Sequence, residues 1–287
     1  MMQRRHQAAL IPRLGKDRRV TFMSRECRIV MFAMLGWVAM AFPALTAEMT
    51  AREVTEMLFK AEGEGTVDLS KKDLTFLDLS GINFKHASFE GADLHGVVFS
   101  DSNLTGANLK GVRLNLATLT RTNFSNANLE GASLLRVAFT ASLEPRPAET
   151  PLFVGANLRR ARLHSRLDYT DFTGADLSGA QFGPEDPKNE LLLTARPVMN
   201  GANFSRAKLK EAGARNTKLR FSRWVDADAG GADFTGSDLT NADFTGADVT
   251  GANFTNAILY GAIFTGARGL DTAKGLDKAI DYDKAMR

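Results

Sequence analysis

Large apolar residues recur at every fifth position along much of the chain. The run begins at Leu69 and reaches Phe139 without a gap, which makes fifteen matches in succession. Since large apolar residues fill about a third of an ordinary chain, chance gives such a run roughly once in ten million. The spacing returns beyond Met199. The residues assigned to the core on this basis are Leu69, Leu74, Leu79, Phe84, Phe89, Leu94, Phe99, Leu104, Leu109, Leu114, Leu119, Phe124, Leu129, Leu134, Phe139, Phe204, Phe234, Leu239, Phe244, Phe254, Leu259 and Phe264.

The residues around each large apolar position also follow a pattern. A small or β-branched residue stands two places earlier, as Ala87 does before Phe89. Side chains alternate along an extended segment, so these two share the inner face and the residue between them, often Asn or Asp, points outward. Glycine is frequent two places after the large residue, as at Gly91, where a turn with positive φ suits it. The pattern predicts short extended segments joined by corners.

A period of five fits neither a helix nor a long strand, because either would distribute the large residues around every face. One five-residue unit cannot fold alone. Burial of its Leu or Phe contributes about 1.5–3 kcal/mol, whereas fixing five backbone residues costs about 1–2 kcal/mol each. Only the stacking of successive units makes the sum favourable. The predicted fold class is an all-β solenoid.

Two stretches show a resemblance to a known family. They are SFEGADL at 88–94 and TGSDLTNADF at 235–244. Both resemble the pentapeptide-repeat family, whose pattern is roughly Ala-(Asp/Asn)-(Leu/Phe)-x-x, and the resemblance covers about residues 67–269. It implies a right-handed quadrilateral β-helix with four pentapeptides per coil. It does not imply a substrate.

The repeat is interrupted twice, at about 140–152 and 183–198, where prolines cluster. We predict a loop insertion at each place. Between them, the run that ends at Leu163 and the run that begins at Phe172 are out of phase, which predicts a one-residue slip near 167–169.

Three later residues fit the repeat poorly. Ala214, Trp224 and Ala229 stand at positions where Leu or Phe is the rule. They predict a looser wall around 210–230, with Trp224 as the candidate to fill volume that its neighbours leave empty.

A solenoid exposes its core at both ends unless something covers it. Residues 50–53 have the form of a capping box, and the apolar residues of 54–61 fall on one helical face. We therefore assign 48–66 to an N-terminal cap helix and linker. At the other end, 270–287 is an approximately amphipathic segment, which predicts a short helical C-terminal cap. Homodimerisation through this end is the alternative.

The first 47 residues have the order of a secretory signal peptide. Basic residues extend to Arg28, an uncharged run covers 29–42, and small residues follow up to Ala47. We expect cleavage near Ala47 and a periplasmic or secreted protein. An uncleaved N-terminal membrane anchor is the alternative, because the uncharged stretch reaches 19 residues when it is counted to Ala47. Translation from Met23 instead of Met1 would give a more compact signal.

Charge separates this N-terminal segment from the rest of the chain. The net charge is +3, but residues 1–47 hold eight Lys/Arg and two Asp/Glu, which leaves 28 basic and 31 acidic residues beyond them. A body at −3 lacks the basic excess for a phosphate backbone and is not the strongly acidic surface of a nucleic-acid mimic. Nucleic acid is therefore not an expected partner. The only cysteine, Cys27, lies in the N-terminal segment, so the exported chain is expected to form no disulfide.

Residues suited to catalysis or metal binding are sparse. His86, His95 and His164 fall in outward positions, and none has metal-ligand spacing with another His or Cys. No Gly-x-Ser-x-Gly motif is present, so we assign no catalytic residue, metal ligand or cofactor. Aspartates in a row on one face would attract a cation or a basic partner. Outward aspartates occur at Asp93, Asp101, Asp233, Asp238, Asp243 and Asp248.

The densest positive feature is Arg159, Arg160, Arg162 and Arg166, close to the first proline-rich loop. Rigid scaffolds tend to carry function on or beside loops. These four arginines are therefore the candidate interaction surface. A solvated face balanced by nearby acids is the alternative.

The sequence favours an exported, non-enzymatic scaffold whose walls bind another protein or an envelope component. One alternative is a DNA-mimicking inhibitor of a type II topoisomerase, like some members of the family that protect against quinolones. Export and the mild charge count against it. A third hypothesis is an envelope enzyme acting on polysaccharide, which would need longer coils and a carboxylate-lined groove.

Overall fold

The computed structural model describes residues 47–61, 66–139, 146–183 and 196–287. The predicted signal peptide and cleavage site lie outside these ranges, apart from Ala47, as do parts of both predicted loop insertions. Among the described residues, every helix is too short or too polar to span a bilayer.

Each extended segment of the repeat consists of one residue that pairs with the next coil in a parallel bridge. Asp68 pairs with Ser88, and Ser88 pairs with Asn108, so the chain advances one coil in 20 residues. Two backbone hydrogen bonds flank Ser88: the Leu69 amide donates to the Ser88 carbonyl (2.7 Å), and the Ser88 amide donates to the Val67 carbonyl (2.8 Å). This pattern repeats four times per coil and gives the solenoid four faces.

We name the faces by their first bridged residues and each corner by the two faces that it joins. Face 1 begins at Asp68, face 2 at Asp73, face 3 at Asp78 and face 4 at Asn83. In the described ranges the chain completes ten coils. Coils 1 to 10 begin on face 1 at Asp68, Ser88, Asn108, Asn128, Asn157, Asp176, Lys208, Asp228, Asp248 and Arg268. The architecture is therefore a β-helix of five-residue units.

The large apolar residue of each unit points into the solenoid. Every residue of the predicted core series is buried, with no more than 3% of its surface exposed. The small residue two places earlier is usually buried beside it, and the residue between them lies on the outside. This alternation places the core along the axis and leaves the outward positions free to vary.

Inside face 4 the large residues form a continuous stack of aromatic rings. Successive ring centroids lie 4.3–5.3 Å apart at interplanar angles of 19° or less. Such pairs contribute about 0.5–1.5 kcal/mol each beyond the burial of their area. In order along the axis, the stacked residues are Phe124, Phe153, Phe172, Phe204, Trp224, Phe244 and Phe264.

Trp224 belongs to this stack, and the wall around it is regular. Its indole is buried, and Nε1 donates to the Ser222 hydroxyl at 2.7 Å. Ala214 and Ala229 are buried as well, and the amides of both continue the coil-to-coil hydrogen bonds at 2.8 Å. The expectation of a looser wall at 210–230 is therefore wrong for the backbone, because the indole stacks in line with the phenylalanines of coils 6 and 8.

Each regular corner turns on a residue with positive φ, two places after the core residue. Glycine takes many of these places, as the pattern predicts, and Gly96 and Gly111 both have φ of 67°. Other corners use residues that rarely adopt this conformation. Phe76 and Phe221, with φ of 57° and 58°, are among the bulkiest.

The two insertions leave the coils at the two corners that border face 3. Fourteen residues separate Ala138 from Leu152 at corner 3/4 of coil 4, where a regular corner has five, and this stretch includes the 3₁₀ helix Pro147–Glu149. Seventeen residues separate Gln181 from Val198 at corner 2/3 of coil 6. The bridges of faces 1, 2 and 4 continue, so these ladders are kept across both interruptions. On face 3, no bridge joins Ala138 of coil 4 to Arg166 of coil 5 in the described chain, so that ladder is interrupted there.

The one-residue slip also borders face 3. Only four residues separate Arg162 from Arg166 at corner 2/3 of coil 5. The slip thus lies between the core residues Leu163 and Leu167, just before the predicted stretch at 167–169. It is accommodated by a tight turn in which the Ser165 amide donates to the Leu163 carbonyl at 2.8 Å.

One α-helix, α1, precedes the first coil in the described chain and spans Ala51–Lys60. Thr50 is its N-cap, and a capping box joins Thr50 and Glu53 reciprocally. Val54 is fully buried, and Met57 and Leu58 pack against the core. Before the helix, the Glu48 amide donates to the Asp73 carbonyl at 2.8 Å.

The C-terminal segment forms the tenth coil with a period of six residues. Arg268, Lys274, Ile280 and Met286 bridge to coil 9. The sequence of 269–286 repeats as GLDTAK, GLDKAI and DYDKAM, and each repeat opens on a residue with positive φ. Two 3₁₀ helices, Leu276–Lys278 and Tyr282–Lys284, turn the corners. Where the sequence predicts a short helical cap, the structure has a last coil closed by 3₁₀ turns.

Gly96→Ala is expected to destabilise the protein more than Gly111→Ala. Both substitutions carry the same cost of about 1–2 kcal/mol for an L residue at positive φ. A Cβ at Gly96 would also lie 2.4 Å from Cδ1 of Phe76, whereas nothing lies within 4 Å of a Cβ at Gly111. Thermal unfolding should give the lower Tm for Gly96→Ala, and adding Phe76→Ala should remove the difference. Equal Tm values for the two single variants would contradict this packing.

Candidate interaction surface

The four predicted arginines all lie in coil 5, but they lie on different walls. Arg159 and Arg160 are at corner 1/2, Arg162 is the bridged residue of face 2, and Arg166 is the bridged residue of face 3. They form a band around the coil. The structure therefore does not bring them together as one patch.

Contacts within the solenoid engage three of these arginines. Arg159 pairs with Asp176 of the next coil at 3.5 Å. Arg166 pairs with Asp168, a carboxylate that is almost fully buried, at 2.8 Å. Arg162 donates to the Ser133 hydroxyl at 3.3 Å. Two of these charges are thus balanced by aspartates, although all four arginines are exposed.

The outward Asn and Asp residues have a structural role that explains why the repeat contains them. Where the outward residue is Asn or Asp, the amide two places later has no coil-to-coil carbonyl partner, and the side-chain Oδ1 accepts its hydrogen bond instead. Asp93 does this for His95 (3.0 Å), and Asn103 does it for Thr105 (3.0 Å). The recurring carboxylates are therefore turn-forming groups first.

The aspartates of coil 8 do not form a row along a face. Asp228, Asp233, Asp238 and Asp243 are the bridged residues of faces 1, 2, 3 and 4 in turn. They form a ring around the axis, with Asp248 opening the next coil. The row considered from the sequence is absent here because successive five-residue units lie on successive faces.

A basic ring in coil 7 lies directly against this acidic ring. Arg215 pairs with Asp233 at 3.3 Å, and Arg220 approaches Asp238 at 3.8 Å. Exposed pairs of this kind contribute about 0–1 kcal/mol each. Together they favour one register between coils 7 and 8. The six basic residues of coil 7 are Lys208, Lys210, Arg215, Lys218, Arg220 and Arg223.

The three histidines differ in their surroundings. His86 and His95 lie at corners, where His95 contacts the Phe76 ring edge to face with centroids 5.3 Å apart. His164 is only 6% exposed, so its outward assignment is wrong, since it lies in the shortened corner of coil 5. Within the described part of the chain, no group of three or more His, Cys, Asp or Glu residues could hold a metal ion.

Exposed large apolar residues concentrate on one side of the solenoid. Of nine in the described ranges, six lie on face 3 or at its two corners, and none lies on face 1, face 2 or the corners of face 1. The six are Phe76, Leu116, Tyr169, Phe221, Tyr260 and Ile280. Sequence reasoning missed this side. The clustering becomes visible in the sequence when corner residues one coil apart are compared. This comparison uses a spacing of 20 residues, corrected for the insertions.

A family model described as pentapeptide repeats matches eight copies in the chain. The matched residues are 68–106, 98–134, 152–183, 215–251 and 237–268, a little over half of the sequence. The chain therefore belongs to the pentapeptide-repeat family, as its sequence predicts. Proteins of this family fold as right-handed quadrilateral β-helices. The four faces and the 20-residue coil agree with that architecture.

Solved structures of the same family resemble the chain at low identity. HetL, a pentapeptide repeat protein from the cyanobacterium Nostoc sp. strain PCC 7120 involved in heterocyst differentiation regulation, is 23% identical over 83% of this chain and 100% of its own, with a TM-score of 0.33. QnrB1, a plasmid-mediated fluoroquinolone resistance protein, is 22% identical over 67% and 90%, with a TM-score of 0.32. None of the curated proteins matches by sequence. These similarities carry no argument about function.

Asp78→Asn is expected to make the protein less sensitive to acid. Hydrogen bonds from the Ser80 hydroxyl and amide lower the pKa of Asp78. A pKa below the unfolded value of about 3.9 stabilises the fold above that pH, and this stabilisation is lost as pH falls through the folded pKa. Asparagine keeps the Oδ1 acceptor at every pH. Asn103, on face 4 of coil 2, accepts such a hydrogen bond from the Thr105 amide.

Thermal unfolding between pH 7 and about pH 3 checks this, since that range spans the ordinary carboxyl pKa. The Tm of Asp78→Asn should fall less than that of the wild type. Asp78→Ala is the control, because it removes the acceptor and should lower Tm at neutral pH. A difference between wild type and Asp78→Asn that does not change with pH would contradict the role of the carboxylate.

Proposed function

We propose that the protein is an exported, non-enzymatic scaffold that binds another macromolecule through the wall formed by face 3 and its two corners. The family supplies the rigid β-helix, and the distribution of exposed side chains distinguishes this wall from the others. The partner is a protein or another component of the cell envelope.

The observation that carries the proposal is the placement of bulky apolar residues at strained corners. Phe76, Leu116, Tyr169 and Phe221 all have positive φ and are 44–64% exposed. Each bears the cost of a sparsely populated conformation, of order 1–3 kcal/mol, with little burial to offset it. All four border face 3. Contact with a partner would give these side chains the burial that the isolated chain lacks.

The chemistry of the described residues supports a non-enzymatic role. Acid–base catalysis by paired carboxylates needs one raised pKa. Hydrogen bonds from neighbouring hydroxyls and amides instead lower the pKa of Asp68, Asp78 and Asp248. These groups are ionised at neutral pH, and each accepts a hydrogen bond from the backbone amide two places later, at the corner.

Mimicry of DNA, the alternative function, would need carboxylates in columns along the axis. In the described coils, outward aspartates at bridge positions follow one another for at most two coils on any face, as Asp73 and Asp93 do. The acidic ring of coil 8 also lies against the basic ring of coil 7. This charge arrangement counts against a topoisomerase inhibitor that acts as a DNA mimic.

Export is supported by the order of residues 1–47, in which a basic region, an uncharged run and small residues follow one another. The membrane-anchored form remains the alternative within the same proposal, since it would place the solenoid on the same side of the membrane.

Expression of the full chain with a C-terminal tag in a Gram-negative host tests export. We expect a soluble periplasmic product that begins near Glu48 when its N-terminus is determined by mass spectrometry. Leu35→Arg, which places a charge in the uncharged run, is the control and should leave the chain uncleaved. A full-length membrane product would identify the anchor. A full-length cytoplasmic product would contradict export and would make gyrase inhibition the next assay.

A further inference from the structure

Coil 7 presents basic and aromatic side chains side by side at corner 3/4. Lys218 is the bridged residue of face 3, Arg220 and Phe221 turn the corner, and Arg223 is the bridged residue of face 4. All four are exposed. With Tyr169 at the same corner of coil 5, they define what we call the corner patch.

Buried neighbours hold these side chains outward. Leu219, Ser222 and Trp224 alternate with them and are fully buried. Trp224 is fixed twice, by stacking on Phe204 with centroids 4.3 Å apart and by its hydrogen bond to Ser222. The segment cannot rotate without breaking the aromatic stack, so the corner patch is rigid.

The two aromatic residues of the patch are set apart by a glycine. Tyr169 lies two coils before Phe221, and Gly201 occupies the corner between them. The Tyr169 ring lies across this glycine, since a Cβ there would be 2.6 Å from Cδ1 of the ring. Neighbouring coils are about 4.8 Å apart, so the two residues are rooted roughly 10 Å apart. The Tyr169 ring thus covers the corner of coil 6 and extends from coil 5 toward Phe221.

Arg220 contributes to the same surface. Its guanidinium carbon lies 5.6 Å from the centroid of the Phe221 ring. A cation over an aromatic ring is attracted by about 0.5–1 kcal/mol at an exposed site. The contact holds the guanidinium beside the corner. Its Nε lies 3.8 Å from Asp238 Oδ2, and its other donors can reach a second carboxylate.

Charge around the patch limits what can bind there. On the N-terminal side, coil 6 presents the neutral Asn200 and Asn203. On the C-terminal side, coil 8 presents Asp238 and Asp243. A long polyanion or an anionic membrane would cover both sides and would meet these carboxylates about 4.8 Å from the basic residues. A short acidic segment that follows coils 6 and 7 would avoid them.

We propose that the corner patch binds a short acidic segment of a partner polypeptide that also carries aromatic side chains. Carboxylates of the segment pair with Lys218, Arg220 and Arg223, and its rings pack on Tyr169 and Phe221. This inference rests on the proposed binding function and names its site and the chemistry of its partner.

Binding of a fluorescent random copolymer of Glu and Tyr to the full chain tests the proposal. We expect Lys218→Glu/Arg223→Glu and, separately, Phe221→Ser to weaken binding about tenfold or more. Two control variants make the same changes elsewhere. Lys208→Glu/Lys210→Glu alters the face-1 side of coil 7, and Phe59→Ser removes an exposed ring of α1, which lies outside face 3 and its corners. Each control should change the Kd less than about twofold. Circular dichroism and Tm establish that every variant is folded.

Poly-Glu of equal length, duplex DNA and vesicles of phosphatidylglycerol are the comparison probes. Weaker binding of all three than of the copolymer supports the proposal. Equal or tighter binding of any of them through the patch residues would overturn it, because the patch would then be a general anion surface. Copolymer binding that survives both patch changes would overturn this site and leave the proposed binding function standing. Failure of the wild type to bind the copolymer would overturn the partner class, whereas the export assay tests the proposed function separately.

Discussion

The structure depends on backbone pairing between residues that lie one coil apart. A five-residue unit buries one large side chain and cannot offset the entropy of ordering itself, so each coil is stable only between its neighbours. Parallel bridges such as Asp68 to Ser88 therefore run through all the described coils on faces 1, 2 and 4. The interruptions at Ala138, Arg162 and Gln181 obey the same constraint. They change the length of a corner and leave the paired positions of faces 1, 2 and 4 in line, whereas the face-3 ladder is interrupted between Ala138 and Arg166.

This pairing gives each outward side chain neighbours that are distant in sequence. Asn128 accepts from the Asn157 side chain at 2.9 Å, although 29 residues separate them. Likewise, the basic residues of coil 7 meet the aspartates of coil 8 along the axis. The charges thus pair between coils, while the Asn and Asp side chains also complete their own corners. What the chain offers to a partner around face 3 is the remainder, namely the apolar and aromatic side chains together with the basic residues of the corner patch.

The period of five was enough to predict a solenoid with inward Leu and Phe residues, because packing against the axis repeats in every unit. The family and its quadrilateral β-helix were implied by the resemblance of 88–94 and 235–244. The surface could not be predicted in the same way. Its neighbours depend on the true length of every coil, and the insertions change that length. Sequence reasoning therefore groups the four arginines of coil 5 into one patch and the aspartates of coil 8 into a row. His164 was assigned to the outside because the shortened corner was placed too late. The period of six at the C-terminus is visible in the sequence of 269–286, but it lies outside the five-residue pattern on which the prediction of a helical cap rests.

Cross-linking across the first insertion tests the central claim, which is that the ladder keeps its register there. With Cys27 replaced by serine, Asn128→Cys/Asn157→Cys should form a disulfide on oxidation, since bridged residues lie about 4.8 Å apart and disulfides join Cα atoms roughly 4.4–6.8 Å apart. Asn128→Cys/Ala148→Cys, with the second cysteine 20 residues on, is the control. The account predicts an efficient cross-link in the first variant and little in the second. A cross-link between positions 128 and 148, and none between 128 and 157, would contradict it.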